Sequence, residues 1–529
     1  MNLNTSLLRA ISLFPDREAV SDDKRKLTYR ELGQRVGSLV EFFNSLGLKK
    51  GDVVACLAPN CYEYLELYYG CAFSRTVLNP LNYRLNPSEI KAILQDSEAR
   101  VLVAHSDFKS IALEALEELG ARAKEIQVLW LGSVQELEPA GSLKYEPAVL
   151  SKWGASLPDI ECDPEDLAQL YYTSGTTGSS KGVMLTHLNV ASNALTAIAD
   201  LNLDGSDVWA HIAPMFHLVD AWSVWSITWL GGKHTFLPYF NAESVMKLIE
   251  RESVTRTALV PTMLGALINA GNTWEYSYSS LRTIMTAGSP VAPDMVRQVN
   301  DIFQCDFVQF YGMTETSPFL TVSVPYPADQ SKPGRILHEI KAKTGRPVIG
   351  CEVKVVDEEG NPVARNNEQV GEIIARGPNV TRGYWKQPEI TAMTIKNGWI
   401  HTGDLAVIDE AGYINIVDRK KDMIITGGEN VYSTEVEHVL YDHPSVVECA
   451  VIGVPHEKWG ELIKAFVKLK DAGAVSQQEL IDFVKQKLAG YKAPKEIEFV
   501  EELPKTGSGK IYKKQLRDIS WEGQTKKVH

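Results

Sequence analysis

The sequence predicts an α/β chain with a large multi-layer N-terminal α/β domain over residues 1–417, a short hinge at 418–422 and a small C-terminal α+β domain over 423–529. Three observations lead there. Helix-like and strand-like apolar patterns alternate through the first 417 residues, which is how packed α/β layers read in sequence. The character changes near the end, where capping boxes and short apolar runs mark a smaller unit. Between the two lies Asp418-Arg419-Lys420-Lys421-Asp422, five charged residues flanked by apolar strand-like runs.

The elements follow in order. Thr28-Tyr29-Arg30-Glu31 has capping-box form, Leu32, Val36, Leu39, Val40 and Phe43 then recur at helical spacing, and Gly47 marks the stop. The apolar run at 53–57 reads as a buried strand. Residues 132–166 have weak periodicity and several prolines and read as a surface connection. A strand-like run at 167–172 follows. Past the charged run, Thr434-x-x-Glu437 and Ser476-x-x-Glu479 have capping-box form, and 446–454 reads as a strand. The second box opens a helix with Leu480, Phe483, Val484 and Leu488 on its apolar face. A solvated turn would account for 418–422 by composition alone. A hinge also accounts for the change of pattern on its two sides.

At 529 residues the chain exceeds one ordinary core, since domains usually run to ~100–200 residues. Lys+Arg 54 against Asp+Glu 67 gives −13, which argues against generic nucleic-acid binding but leaves room for a local phosphate pocket. No apolar run is long enough to span a membrane. The seven cysteines are scattered, odd in number and without a CxxC pair, so reduced thiols and a cytoplasmic setting are expected. The ending Lys526-Lys527-Val528-His529 is not a peroxisomal address.

The most informative stretch is Tyr171-Tyr172-Thr173-Ser174-Gly175-Thr176-Thr177-Gly178-Ser179-Ser180-Lys181-Gly182. Glycines let backbone N–H groups turn onto an anion, hydroxyls add donors, and Lys181 adds a positive charge. A Ser/Gly linker would share the composition, but linkers rarely stand between two strand-like runs, and Val183-Met184-Leu185 follows directly. It is not a Walker A loop, because Ser180 and Gly182 stand where that motif needs Gly and Ser/Thr. With this loop the chain resembles the adenylate-forming superfamily of acyl-CoA synthetases, beetle luciferases and peptide-synthetase adenylation domains. The resemblance runs through nearly the whole chain, with several motifs in the family's order. Ser180 departs from the proline usual there.

Gln309-Phe310-Tyr311-Gly312-Met313-Thr314-Glu315-Thr316 is a second match. Tyr311 can stack on a purine, Thr314 can donate to an α-phosphate, and Glu315 offers the hard oxygen that Mg²⁺ prefers. Alone, Tyr311 would read as core. Ala287-Gly288-Ser289-Pro290 is a turn by itself and an adenine contact by resemblance. The resemblance further implies that Asp404, in Gly398–Asp404, and Arg419 meet the ribose. It implies that Lys510, on Pro504-Lys505-Thr506-Gly507-Ser508-Gly509-Lys510, reaches the adenylation site. It also implies that His217, in Pro214-Met215-Phe216-His217, borders an acyl pocket with Val219, Ser223, Gly312 and Met313. Alone, these would be a turn aspartate, a solvated lysine and a half-buried histidine, and Trp222 and Trp225 suit core packing equally well. Lys421 resembles the family's hinge position in a mobile small domain, with Gly427, Gly428 and Asn430 on the thiol side.

The expected reaction is an ATP- and Mg²⁺-dependent union of a small carboxylic acid with coenzyme A through an acyl-AMP. The acid is expected to be a medium- or long-chain fatty acid or an aryl, cinnamate-like acid, and a homodimer is compatible. A carboxylic acid is already ionised at neutral pH, so adenylation needs no general base, only a positive field where charge builds on phosphorus. Three other readings stay open: an adenylation enzyme that loads a carrier protein, a luciferase-like oxygenase and a catalytically dead nucleotide binder. Asp220 would be a candidate amine ligand for an amino-acid substrate, though its register beside Pro214–His217 fits poorly.

Overall fold

Thr28 caps its helix as its sequence spacing requires: its side chain accepts from Glu31 N while Glu31 reaches back to the Thr28 N–H. The helix Tyr29–Ser45 that follows buries Leu32, Val36, Leu39, Val40 and Phe43. In this computed structural model the described residues are 1–23, 25–133, 135, 138–159, 162–173, 180–456, 458–471, 473–505 and 511–521. They form two compact units, Met1–Val353 with Ala375–Ile400, and Lys354–Ile374 with His401–His529.

The first unit is built on two sheets. Seven strands lie in the order Leu143–Lys144, Gln127–Leu131, Val101–His105, Val53–Leu57, Val77–Pro80, Leu167–Thr173 and Lys181–Thr186. All neighbours run parallel except the last pair. The run Val53-Val54-Ala55-Cys56-Leu57 is apolar throughout because both faces are covered. Val54 and Cys56 enter one core cluster, and Val53, Ala55 and Leu57 enter another. The second sheet has nine strands, of which Asp306–Gly312, Thr283–Thr286, Arg256–Leu259, Val208–His211 and Lys233–Phe236 are parallel neighbours. Its two faces divide in the same way, with Leu259 and Ile284 on one side and Ala258 and Met285 on the other.

The second unit centres on the antiparallel pair Val446–His456 and Gly460–Leu469, extended by Ile424–Thr426, Glu429–Val431 and Glu496–Phe499. Val436 and Leu440 of the helix Ser433–Tyr441 and Leu480 and Val484 of the helix Gln477–Lys487 pack in one cluster with Val451 and Val467. The box at Ser476 forms. The box read at Thr434 does not. The helix starts two residues earlier, at Ser433, the Thr434 hydroxyl donates to Val417 O, and Glu437 turns to Lys513 and to Val451 N. A tertiary cation outcompetes the local cap. The 132–166 connection also carries more structure than expected: a short helix, Tyr145–Leu150, places Tyr145 where its hydroxyl donates to buried Glu66.

Candidate active site

Parallel strands leave their carboxyl ends along one edge of a sheet, where ligands of such folds bind. In the nine-stranded sheet Thr286 is the register partner of Gln309. The turn Ala287-Gly288-Ser289-Pro290 therefore emerges beside Phe310-Tyr311-Gly312, which joins two motifs far apart in sequence. Gly288 has φ +91°, a left-handed conformation that suits glycine.

Gly312 is required by space. A Cβ there would lie 1.6 Å from Pro318 O. The chain turns back at once through a 3₁₀ turn, Thr314–Thr316, into the antiparallel strand Phe319–Val322. The Thr316 hydroxyl fixes the turn, accepting from Met313 N at 3.0 Å and donating to Pro318 O at 2.6 Å. Met313 and Thr314 stay half-buried, and Glu315 is 7% exposed. Phe310 faces the core, with its ring 4.6 Å from that of Phe319. Gln309 is buried, and its Oε1 accepts no hydrogen bond among the described residues.

Lys181 and Thr173 are register partners on the antiparallel pair 167–173 and 181–186. The two strands hold the ends of the phosphate loop together. Ser174, Gly175, Thr176, Thr177 and Gly178 of that loop, and Lys510, lie outside the described residues. Lys181 Nζ sits 5.6 Å from the ring centroid of Tyr384, and the Tyr384 hydroxyl donates to Glu315 Oε1 at 2.8 Å. Burial pushes the Tyr384 phenol well up, and the Glu315 carboxylate adds to it. Tyr384 belongs to none of the motifs read in the sequence. Its one sequence signal is the Gly383-Tyr384-Trp385 string, a glycine before two aromatics.

At the end of Pro214–His217, His217 caps the short helix Leu218–Ala221 and accepts from Val219 N at 3.2 Å. Val219 packs in one cluster with Ala287, Trp222 and Phe310, so the segment after Pro214–His217 shares a core with the motifs at 287–290 and 309–316. Ser223 is buried and donates to Asp220 O at 2.8 Å. Asp220 is fully buried and accepts from His211 Nδ1 at 2.5 Å and Trp209 Nε1 at 3.0 Å. It is a structural carboxylate and no ligand for a substrate amine. Asn60 and Tyr68, also outside every motif, hold the segment before His217. Asn60 donates to His211 O and Ala213 O and accepts from Met215 N, and Tyr68 donates to Met215 O.

In the second unit Asp404 and Arg419 are register partners on adjacent strands, with Nε and Oδ1 3.2 Å apart. Gly427 and Gly428 have φ +62° and +87°, and Asn430 pairs with Ile425 across a tight strand pair. Around Lys421 lies a cluster of buried charge. The Asp418 carboxylate accepts from Ser433 N and, at 3.0 Å, from Ser433 Oγ. Ser433 Oγ in turn accepts from Lys513 Nζ at 2.7 Å, and Lys513 pairs with Glu437 at 2.7 Å. Arg517 pairs with Asp422. Burial pushes Asp418 up to about 6 despite Lys513.

Comparison with known proteins gives the following matches. The family model described as AMP-binding enzyme matches residues 7–385, and the AMP-binding enzyme C-terminal domain matches 435–510. A feruloyl-CoA synthase of Amycolatopsis sp is 37% identical over 96% of this chain and 97% of its own length. A 2-succinylbenzoate–CoA ligase of Bacillus cereus is 33% identical over 97% and 98%. The crystal structure of the anthranilate CoA ligase AuaEII in complex with anthranoyl-AMP superposes with a TM-score of 0.87 at 26% identity, covering 98% of this chain and 97% of that one.

Proposed function

The chain belongs to the AMP-binding enzyme family, and we propose that the acid it activates is an aromatic carboxylic acid. It is an AMP-forming acid–thiol ligase that uses ATP to join a carboxylic acid to coenzyme A through an acyl-adenylate. The aromatic acid is supported by the feruloyl, 2-succinylbenzoate and anthranilate named for the relatives above.

The observation that carries the site assignment is the meeting of Lys181, Tyr384 and Glu315 at the phosphate-loop strand pair. In the first half-reaction a carboxylate oxygen of the acid bonds to the α-phosphorus of ATP. The bond from that phosphorus to the bridging oxygen breaks, and pyrophosphate leaves. Charge grows on the phosphoryl oxygens, and donors aimed there lower the barrier. We assign that field to Lys181, Thr314, the phosphate-loop N–H groups and Lys510. Among the described residues no group of three or more His, Cys, Asp or Glu stands ready to hold a metal. A single buried carboxylate, Glu315, fits Mg²⁺ that arrives on the nucleotide phosphates, since Mg²⁺ is usually held by one or two carboxylates plus phosphate. When bound, it would neutralise phosphate charge. We assign adenine to 288–290 and Tyr311, and ribose to Asp404 and Arg419. In the second half-reaction the thiol sulfur bonds to the acyl carbon, loses its proton, and AMP departs. We assign the thiol side to Gly427, Gly428 and Asn430, and the hinge between half-reactions to 418–422 around Lys421.

No helix among the described residues is long and apolar enough to cross a membrane. With scattered free thiols, a cytoplasmic setting is part of the proposal. Acid-dependent pyrophosphate exchange over aryl, fatty and amino acids tests the substrate. The highest kcat/KM is expected on a benzoate- or cinnamate-like acid. A fatty acid that outperforms every aryl acid would overturn the aromatic assignment while leaving the ligase chemistry intact.

A further inference from the structure

Residues 381–385 lie along the phosphate-loop strand like a short added strand. Met184 N donates to Gly383 O at 3.1 Å, Trp385 N donates to Gly182 O at 2.7 Å, and Val183 and Tyr384 form a bridge. The same segment reaches the 3₁₀ turn of the second motif, where Thr381 N donates to Glu315 O at 2.7 Å. Gly383 has φ +139°, and a Cβ there would meet Thr391 Cγ2 at 2.4 Å, so the segment enters this path only with glycine at that position. Two elements distant in sequence are thus clamped by a third, and the side chain at the middle of the clamp is Tyr384. It is 7% exposed.

We propose that Tyr384 is a positioning residue for adenylation. It fixes the carboxylate of Glu315 with its hydroxyl and seats the ammonium of Lys181 on its ring. This rests on the reading of Glu315 as the carboxylate that meets Mg²⁺·ATP and of Lys181 as a phosphate contact. A carboxylate can only accept here, so the phenol is the donor and must point at Oε1. A hydrogen bond to an ionised group is strong and directional, and it sets the rotation of the Glu315 carboxylate. The ring holds Lys181 by a cation–π contact at a distance within the useful ~6 Å. One rigid side chain therefore sets the spacing between the negative group that meets the metal and the positive group that meets the phosphates.

Tyr384→Phe removes the hydroxyl and keeps the ring. Groups that orient a metal-binding side chain are worth about 10–100-fold in metal affinity. The Mg²⁺ concentration for half-maximal pyrophosphate exchange should rise by about that factor, with KM for ATP at saturating Mg²⁺ little changed. Binding of Mn²⁺ to the enzyme with a non-hydrolysable ATP analogue, read by electron paramagnetic resonance, should weaken in parallel. Tyr384→Met removes the ring as well, and should raise KM for ATP in addition. It also repeats the Mg²⁺ test should Tyr384→Phe lower the melting temperature. Glu315→Gln serves as the reference and should lose Mn²⁺ affinity by at least as much as Tyr384→Phe. If Glu315→Gln weakens Mn²⁺ while both Tyr384 variants keep wild-type Mn²⁺ affinity and Mg²⁺ dependence, Tyr384 only fills space and the proposal fails. If Glu315→Gln leaves Mn²⁺ binding unchanged, the reading of Glu315 fails first and the proposal falls with it.

Discussion

Lys513→Met isolates the charge cluster around the proposed hinge. Lys513 donates to Ser433 Oγ and pairs with Glu437, and Ser433 holds the buried carboxylate of Asp418. Its side chain is 15% exposed, and that of Glu437 is 13% exposed. Removing one partner of a buried pair costs about 3–5 kcal/mol, because the other charge stays buried without compensation. The slight exposure points to the lower end, about 3 kcal/mol. At ~1.4 kcal/mol per tenfold, amides of Val446–His456 should then exchange hydrogen about 10²-fold faster. The pH dependence has a definite sign. Burial raises both Asp418, to about 6, and Glu437 above their ordinary values. A carboxyl whose folded pKa is raised loses stability as pH climbs from its unfolded value through its folded one. Lys513 limits that loss. Without it both carboxyls rise further, so the deficit grows as pH climbs through their raised values and shrinks as pH falls below the ordinary carboxyl range, where both are protonated with or without the lysine. Native-state hydrogen exchange of the full chain at several pH values measures this. A deficit under about 1 kcal/mol, the range of exposed pairs, would refute the reasoning. So would one that does not change with pH.

Three further outcomes are expected. Lys510→Ala should slow acid-dependent pyrophosphate exchange by ~10²–10³ while sparing thioester formation from pre-made acyl-adenylate; equal loss in both half-reactions would remove Lys510 from adenylation. Gly312→Ala should cost about 1–3 kcal/mol or more and disable adenylation, since its Cβ would overlap Pro318 O; a variant with wild-type melting temperature and exchange rate would show that the turn opens freely. Lys421→Pro should keep pyrophosphate exchange and lose thioester formation if the φ it fixes suits the adenylating pose; a parallel loss of both with a lowered melting temperature would favour a plain turn over a hinge.

Much of the α/β architecture was legible because its cues are local or periodic. The run at 53–57 is apolar at every residue, and the structure buries every residue of it in a two-faced sheet. The box at Thr28 had no competitor, and it forms. At Thr434 the same spacing failed because a lysine 76 positions after Glu437 in the sequence, Lys513, takes that glutamate. Motif residues such as Gly312 and Glu315 stood out by type and spacing. Tyr384 did not. Its role comes from a backbone segment laid along the 181–186 strand, and no periodicity in residues 381–385 signals that pairing. Asn60 and Tyr68 were silent for the same reason, since their partners are main-chain groups about 150 residues away.

The Lys181–Tyr384–Glu315 arrangement also bears on how such a site can take up its nucleotide. A lysine paired directly with a buried carboxylate is held by several kcal/mol, and opening that pair on each turnover would raise the cost of binding ATP. A cation over an aromatic ring is held by ~0.5–2 kcal/mol, which phosphate oxygens can readily exceed. The tyrosine thus separates the two charges while keeping each in place. Glu315 is satisfied by a neutral donor at 2.8 Å, which sets its orientation without cancelling its charge. On the proposed roles, Lys181 on its ring stays within reach of the phosphates. On the same roles, Mg²⁺·ATP would then enter between a preset cation and a preset anion with no internal lysine–carboxylate pair to open first.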